Sequence, residues 1–166
     1  VEFSPCQGIS KPFRETGRDR VLSDAEVKVF WQACEPEGPI VSALFRFLLL
    51  TGQRSGETRT ARWDDILDGV WTIPPENSKN GLEHRVPLSA QAAAILEELK
   101  PWTGGETFIF ASPSNRSNGP IEWVSHAVER VRKRCGFDFT AHDLRRTAAS
   151  GMGALGVDRV TLAKVL

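Results

Sequence analysis

The sequence contains no tyrosine among its 166 residues and no excess of either charge. Cysteine is scarce: Cys6, Cys34 and Cys135 are odd in number and widely spaced, which argues against a disulfide framework or a zinc site and fits a reducing cytosol. The longest apolar stretch, residues 43–50, is interrupted by Arg46 and is too short to cross a membrane. The 21 basic and 21 acidic residues cancel, so nucleic-acid binding by bulk charge is disfavoured, although a local basic patch is not excluded.

The composition that is present, 40% apolar and 25% charged, is ordinary for one globular domain. Residues 1–20 carry prolines and glycines without apolar periodicity, which predicts a linker or an N-terminal arm. Residues 21–166 then form the domain. The last segment, residues 158–166, is an apolar helical pattern without a stop signal, so we expect the domain to be incomplete at its C-terminus.

Apolar periodicity and capping residues predict an α+β domain that is mostly helical and contains a small three-stranded antiparallel sheet. The strands are expected at residues 66–67, 70–74 and 84–88, with an Asn-Gly hairpin signal before the third. The first predicted helix begins at a Ser23 cap and runs to about Glu35, the second covers residues 40–50 and ends at Gly52, and the third follows a Ser55 cap. The next two cover residues 89–100, up to Pro101 and the glycines after it, and residues 121–135. The last two follow caps at Thr140 and Asp158.

The stretch from residue 139 to residue 151 combines a helix start with reactive side chains. Thr140 and Asp143 have the spacing of a capping box, which places His142 in the first turn and Arg145 three residues later on the same face. A proton-transfer group and an anion-binding guanidinium then lie near the positive end of a helix dipole, which favours a phosphate. A capped surface helix with solvated side chains is the alternative.

Two further positions suggest the same chemistry. Arg54 lies in a tight turn between two helices, and Glu57 three residues later can hold its guanidinium while leaving other N–H groups for a ligand. Lys79 lies at the predicted hairpin tip, from which it can donate a proton into a groove. The alternatives are a turn arginine neutralised by its neighbour and an ordinary exposed lysine.

A basic patch is predicted at the end of the helix over residues 121–135. Its members, which we expect to contact nucleic acid, are Arg130, Arg132, Lys133 and Arg134. Cations near a helix C-terminus are also favourable without any ligand, so a purely structural role is equally open. His126 is expected to be a surface or packing residue.

Three motifs in this order resemble the catalytic domain of the tyrosine recombinases, the phage-integrase family, over about residues 20–166. The motifs are residues 50–57, 78–88 and 141–147. In this resemblance Arg54 and Arg145 match the two catalytic arginines, Lys79 the catalytic lysine, His142 the catalytic histidine and Glu57 a supporting acid. It implies the integrase catalytic fold and cleavage of DNA through a 3′-phosphotyrosyl intermediate, without metal or cofactor.

The sequence departs from the family pattern at both ends. The later His or Trp, the nucleophilic tyrosine and the N-terminal DNA-clamping domain are not in it. We therefore expect this chain to bind double-stranded DNA without cleaving it. We expect other recombinase protomers as partners of the full-length protein. The expected location is the cytoplasm, at the nucleoid, in a protein of bacterial or phage origin. Three alternatives remain: a non-catalytic DNA-binding or regulatory protein with this fold, a type IB topoisomerase-like domain, and a helical interaction module.

Overall fold

The computed structural model describes residues 18–112, 119–122 and 125–166. Most of the predicted arm, residues 1–17, lies outside the described residues, as does much of the polar loop expected near residues 112–120. The described residues form seven α-helices and one antiparallel sheet of order β1-β2-β3, which confirms the predicted fold class. The elements are α1 (Asp24–Cys34), α2 (Pro39–Thr51), α3 (Ser55–Arg59), β1 (Ile66–Leu67), β2 (Val70–Ile73), β3 (His84–Pro87), α4 (Ala90–Thr103), α5 (Ser125–Cys135), α6 (Ala141–Ala154) and α7 (Arg159–Val165), with 3-10 turns at Glu35–Glu37 and Trp63–Asp65.

The helix starts follow the local sequence closely. Ser23 and Thr140 each form a full capping box, at α1 and α6, and the Asp158 side chain accepts two backbone N–H bonds at the start of α7. The prediction that Ser55 caps α3 is wrong, because Arg54 is the N-cap and Ser55 is the first helical residue. Because α3 begins at Ser55, Glu57 is its third residue, and the Glu57 carboxylate reaches back to the Arg54 backbone N–H.

Two helix boundaries also differ from expectation. The helix α4 continues through Pro101 to Thr103, because Thr103 anchors the last turn from both sides. Its hydroxyl donates to the Ile109 carbonyl at 2.8 Å, and its carbonyl accepts from Trp63 Nε1 at 2.7 Å. The helix expected from residue 121 begins instead at Ser125, and residues 123–124 lie outside the described residues.

The connection between β2 and β3 is longer than a tight hairpin. The two strands pair antiparallel, with Ile73 opposite His84, so residues 74–83 form the whole connection. Lys79 therefore lies in a broad exposed loop and not in a two-residue turn.

The helix α2 is the centre of the core, as its nearly continuous apolar sequence predicts. It packs against α1, α4 and α6, and Phe47 contacts Trp71 of the sheet at 5.6 Å and Phe110 at 5.7 Å between ring centroids. On the other side of the domain, α1 packs against α5, and Phe30 makes an edge-to-face contact with Phe139 at 5.0 Å. The turn after α2, which carries Arg54, lies against α6, because Arg145 donates to the Gly52 carbonyl.

Candidate functional site

Glu57 connects Arg54 to the loop that carries Lys79. It is buried, with 4% of its surface exposed. Its Oε1 atom accepts from Arg54 Nη1 at 2.9 Å and from the Lys79 backbone N–H at 3.3 Å, and its Oε2 atom accepts from the Arg54 backbone N–H at 3.2 Å. One carboxylate therefore fixes both the guanidinium and the loop.

Arg145 approaches the same turn from α6. Its Nη1 donates to the Gly52 carbonyl at 2.8 Å, and its Nη2 donates to the Leu166 carbonyl. Burial lowers the pKa of Arg145 from its ordinary value, and the positive charge of Arg54 lowers it further, because the two guanidinium groups are near each other. An arginine remains protonated at neutral pH even so. The two like charges thus create a local site that favours an anion.

Both guanidinium groups retain unused donors. An arginine side chain has five N–H donors, of which Arg54 uses one and Arg145 uses two within the described residues. Arg54 also keeps 35% of its side chain exposed, so a ligand can reach it. The pair can therefore bind a phosphate group through several charge-assisted hydrogen bonds at once.

The end of α7 closes one side of this site. The Val165 carbonyl accepts from Gln53 Nε2 at 2.6 Å and lies 3.1 Å from His84 Nε2. A cavity of about 220 Å³ lies between α7, the loop of residues 74–83 and Arg54. Sequence reasoning assigned no role to Gln53 or His84. The position of Gln53 next to Arg54 was a usable signal, whereas His84 is recognisable from the sequence only as the first residue of a strand.

The remaining two catalytic candidates are exposed. Lys79 joins the site through its backbone N–H, while its side chain has no partner among the described residues. His142 is exposed in the first turn of α6, one turn before Arg145. It lines a separate cavity of about 350 Å³ together with Arg132 and Thr140, and none of its described contacts joins it to Arg54 or Arg145. The structure thus brings together Arg54, Arg145, Glu57 and the Lys79 backbone, and leaves the role of His142 a prediction.

The basic patch on α5 is largely engaged within the domain. Arg130 and Arg134 both pair with Glu37, whose side chain is 1% exposed, and the Arg130 Nη2 to Glu37 Oε2 distance is 2.5 Å. Burial alone would raise the pKa of Glu37, but the two guanidinium groups outweigh it and hold that pKa below its ordinary value. Arg132 donates to the Phe139 carbonyl at 2.9 and 2.6 Å.

Lys133, in contrast, is exposed. A DNA-binding role for these four residues stays a prediction. His126 is a surface residue, as expected, with 89% of its side chain exposed.

Two other kinds of site have no counterpart among the described residues. Residues 18–112, 119–122 and 125–166 contain no group of three or more His, Cys, Asp or Glu side chains placed to hold a metal ion. No helix in the described part of the chain has both the length and the apolar character needed to traverse a bilayer.

Comparison with known proteins identifies the class. The sequence profile of the phage integrase family matches residues 20–166, so the chain belongs to that family, and the resemblance drawn from the three motifs is confirmed. Its relatives include the prophage integrase IntA of Escherichia coli K12, 39% identical over 117 residues that cover 68% of this chain and 28% of the relative. Another is the integrase of Escherichia phage lambda, 30% identical over 147 residues that cover 81% of this chain and 40% of the relative.

Solved structures agree with the fold. The lambda integrase catalytic core is 24% identical with a TM-score of 0.68, and the match covers 89% of this chain and 91% of that one. A dimer of lambda integrase residues 75–356 bound to a COC′ core site is 26% identical with a TM-score of 0.74, and the match covers 92% of this chain and 59% of that one. The chain spans 28% to 44% of the length of the first five curated relatives.

Proposed function

We propose that this chain is the phosphate-binding part of a site-specific DNA recombinase, in which Arg54 and Arg145 hold one backbone phosphate of duplex DNA. The observation that carries the proposal is the hydrogen bond from Arg145 of α6 to the Gly52 carbonyl, two residues before Arg54, which brings both arginines to one turn while each keeps unused N–H donors. The similar lambda integrase structure bound to a COC′ core site supports DNA as the ligand.

The proposed reaction is transfer of a DNA strand to a tyrosine and back. A tyrosine oxygen attacks the phosphorus, a 3′-phosphotyrosyl bond forms, and the bond to the 5′ oxygen breaks. Lys79 donates the proton that the leaving 5′ oxygen takes up, and His142 assists proton movement at the nucleophile or the phosphate. Negative charge develops on the phosphoryl oxygens, so losing one of the two arginine clamps is expected to lower the rate on the order of 100-fold or more.

The other residues have supporting roles in this proposal. Glu57 positions Arg54 and the Lys79 loop. The chain contains no tyrosine, so the nucleophile has to come from outside this sequence, and the chain by itself binds DNA without cleaving it. Residues 1–20 act as an arm ahead of the domain of residues 21–166, further protomers assemble on the DNA, and the protein works in the cytoplasm. Neither a metal nor a cofactor enters the scheme.

Fluorescence anisotropy with a short DNA duplex of arbitrary sequence tests this proposal. Binding is expected to weaken steeply as salt rises from about 50 to about 200 mM, because phosphate contacts release counterions. The substitutions Arg145→Ala and Arg54→Ala should each weaken binding but reduce the slope of log K against log salt by less than about 0.9, because the arginine that remains still neutralises the phosphate. The double variant should reduce that slope by about 0.9 in total, because both residues contact one phosphate.

The matched control is Arg62→Ala, which removes the same charge from an arginine that lies over the Phe108 ring, outside the site. It should leave the affinity nearly unchanged. Binding that does not depend on salt, or an Arg145→Ala variant that binds like Arg62→Ala, would contradict the proposal. Circular dichroism of each variant shows whether it is folded.

A further inference from the structure

We propose that residues 18–22, here called the strap, position helix α6 for the reaction, and that Arg18 is a positioning residue that acts through Asp143 on the turn between His142 and Arg145. This inference rests on the proposed function, since α6 matters as the helix that carries those two residues. Arg18 itself lies outside the cavity at Arg54.

The first contact is made at the helix cap. Asp143 has no exposed surface, and its Oδ2 atom accepts from the Thr140 backbone N–H at 2.8 Å and from Arg18 Nε at 2.8 Å. The bond from Thr140 belongs to the capping box of α6, so Arg18 pairs with the same oxygen that closes the helix start. Arg18 also reaches Asp138, ahead of the cap, at 3.0 Å.

The second contact lies one turn further along α6. The Leu22 backbone N–H donates to Thr147 Oγ1 at 3.0 Å, and that hydroxyl donates to the Asp143 carbonyl at 2.7 Å. Leu22 is buried, with 4% of its surface exposed. The strap is therefore bonded to both ends of the helical turn that contains Arg145.

The charge of Asp143 makes the Arg18 contact matter. A buried carboxylate is stable only when it is paired and hydrogen-bonded. The Oδ1 atom of Asp143 has no hydrogen bond within the described residues, and Arg146 Nη1 lies 3.8 Å from it. Burial alone would raise the pKa of Asp143, but the bonds from Thr140 and Arg18 outweigh it and lower that pKa. Without Arg18, the first turn of α6 keeps a buried charge that is poorly neutralised.

The Arg18 contact can also be released. Its side chain is 44% exposed, so water can replace Asp143 as its partner. Its release leaves Asp143 with the weaker of its two cations. The position of Arg18 thus biases the order of the turn on which His142 and Arg145 depend.

The test uses three variants of the chain. Arg18→Gln removes the charge, Arg18→Lys keeps it, and Arg20→Gln is the matched control. Arg20 belongs to the strap but pairs with Glu26 at 2.6 Å and lies over the Phe137 ring, away from α6. Amide hydrogen exchange of residues 141–146 and affinity for a short DNA duplex are measured for each variant, together with the midpoint of urea unfolding.

With Arg18→Gln, amide exchange at residues 141–146 should accelerate roughly three- to tenfold, the range that the loss of one net hydrogen bond gives, and DNA affinity should fall by a similar factor. Arg18→Lys should restore most of the protection from amide exchange and most of the DNA affinity. Arg20→Gln should change neither, even where its unfolding midpoint falls equally. Acceleration spread evenly over the domain, or an Arg20→Gln effect equal to that of Arg18→Gln, would overturn the inference. If Arg145→Ala binds DNA normally, the proposed function fails, while the exchange data still decide whether the strap orders α6.

Discussion

Gly52 ends α2 beside Ala148 of α6 and Leu166, the residue after α7, and its replacement by alanine tests that geometry. The residue ends α2 in a left-handed conformation with a φ of 64°. A Cβ atom at this position would lie 2.7 Å from Leu166 Cδ2 and 3.1 Å from Ala148 Cβ. Gly52→Ala therefore introduces both backbone strain and a steric clash.

The two costs can be estimated separately. A non-glycine residue in the left-handed region costs roughly 1–2 kcal/mol. Overpacking of a filled site costs about 1–3 kcal/mol. Ala148 Cβ cannot move away, but the end of the Leu166 side chain can rotate, so the lower half of that range applies. We expect Gly52→Ala to lower the free energy of unfolding by roughly 2–4 kcal/mol, which lowers the Tm on the order of 10 °C for a domain of this size.

Two other glycines separate the contributions. Gly136 has a φ of 75°, and a Cβ atom added there would have nothing within 4 Å, so Gly136→Ala carries the strain alone. Gly151 lies within α6, also with nothing within 4 Å, so Gly151→Ala should stabilise the helix by about 0.5–1 kcal/mol. Urea unfolding followed by the fluorescence of tryptophan, including the buried Trp71, gives all three values. Equal losses for Gly52→Ala and Gly136→Ala would refute the close approach of Ala148 and Leu166 to Gly52.

Two further predictions concern ionisable groups. Burial raises the pKa of the Cys34 thiol to about 12. Cys34 should therefore resist iodoacetamide at pH values near 8 until urea unfolds the chain, while the partly buried Cys135 reacts sooner. Equal alkylation rates by mass spectrometry would contradict this. Glu37 and Asp143 have lowered pKa values in the folded state, so their contribution to stability is present above about pH 5 and is lost as the pH falls. The urea midpoint should therefore decline as the pH falls from neutral to acidic, and the decline should be less steep in Glu37→Gln. A midpoint that does not change with pH would refute the pairing of these carboxylates with their arginines.

The parts of the fold that depend on local sequence could be predicted. The capping boxes at Ser23 and Thr140 and the apolar run of α2 act over one or two turns, and the structure places them as expected. The end of α4 could not be predicted in the same way. Pro101 is a helix terminator locally, but the hydrogen bonds that Thr103 makes to two distant segments keep the last turn helical.

The same distinction applies to the candidate site. The pairing of Arg54 with Glu57 spans three residues and follows from their spacing. The pairing of Arg130 with Glu37 spans 93 residues, so the sequence presented Arg130 as a free cation. The contact of Arg145 with the Gly52 carbonyl also spans 93 residues, and only the family resemblance linked the two motifs before the fold was known.

The bond between Glu57 and the Lys79 backbone has a practical consequence for protein engineering. That bond holds the main chain at residue 79, and the Gly81 backbone N–H donates to the Ser78 carbonyl at 3.1 Å, so residues 78–81 form a turn of their own within the loop. Leu82 takes part in neither bond, so a change of side chain at that position leaves the attachment of the lysine intact. Leu82, which is 70% exposed and lines the cavity at Arg54, is therefore a position at which a fluorescent label can report on that cavity.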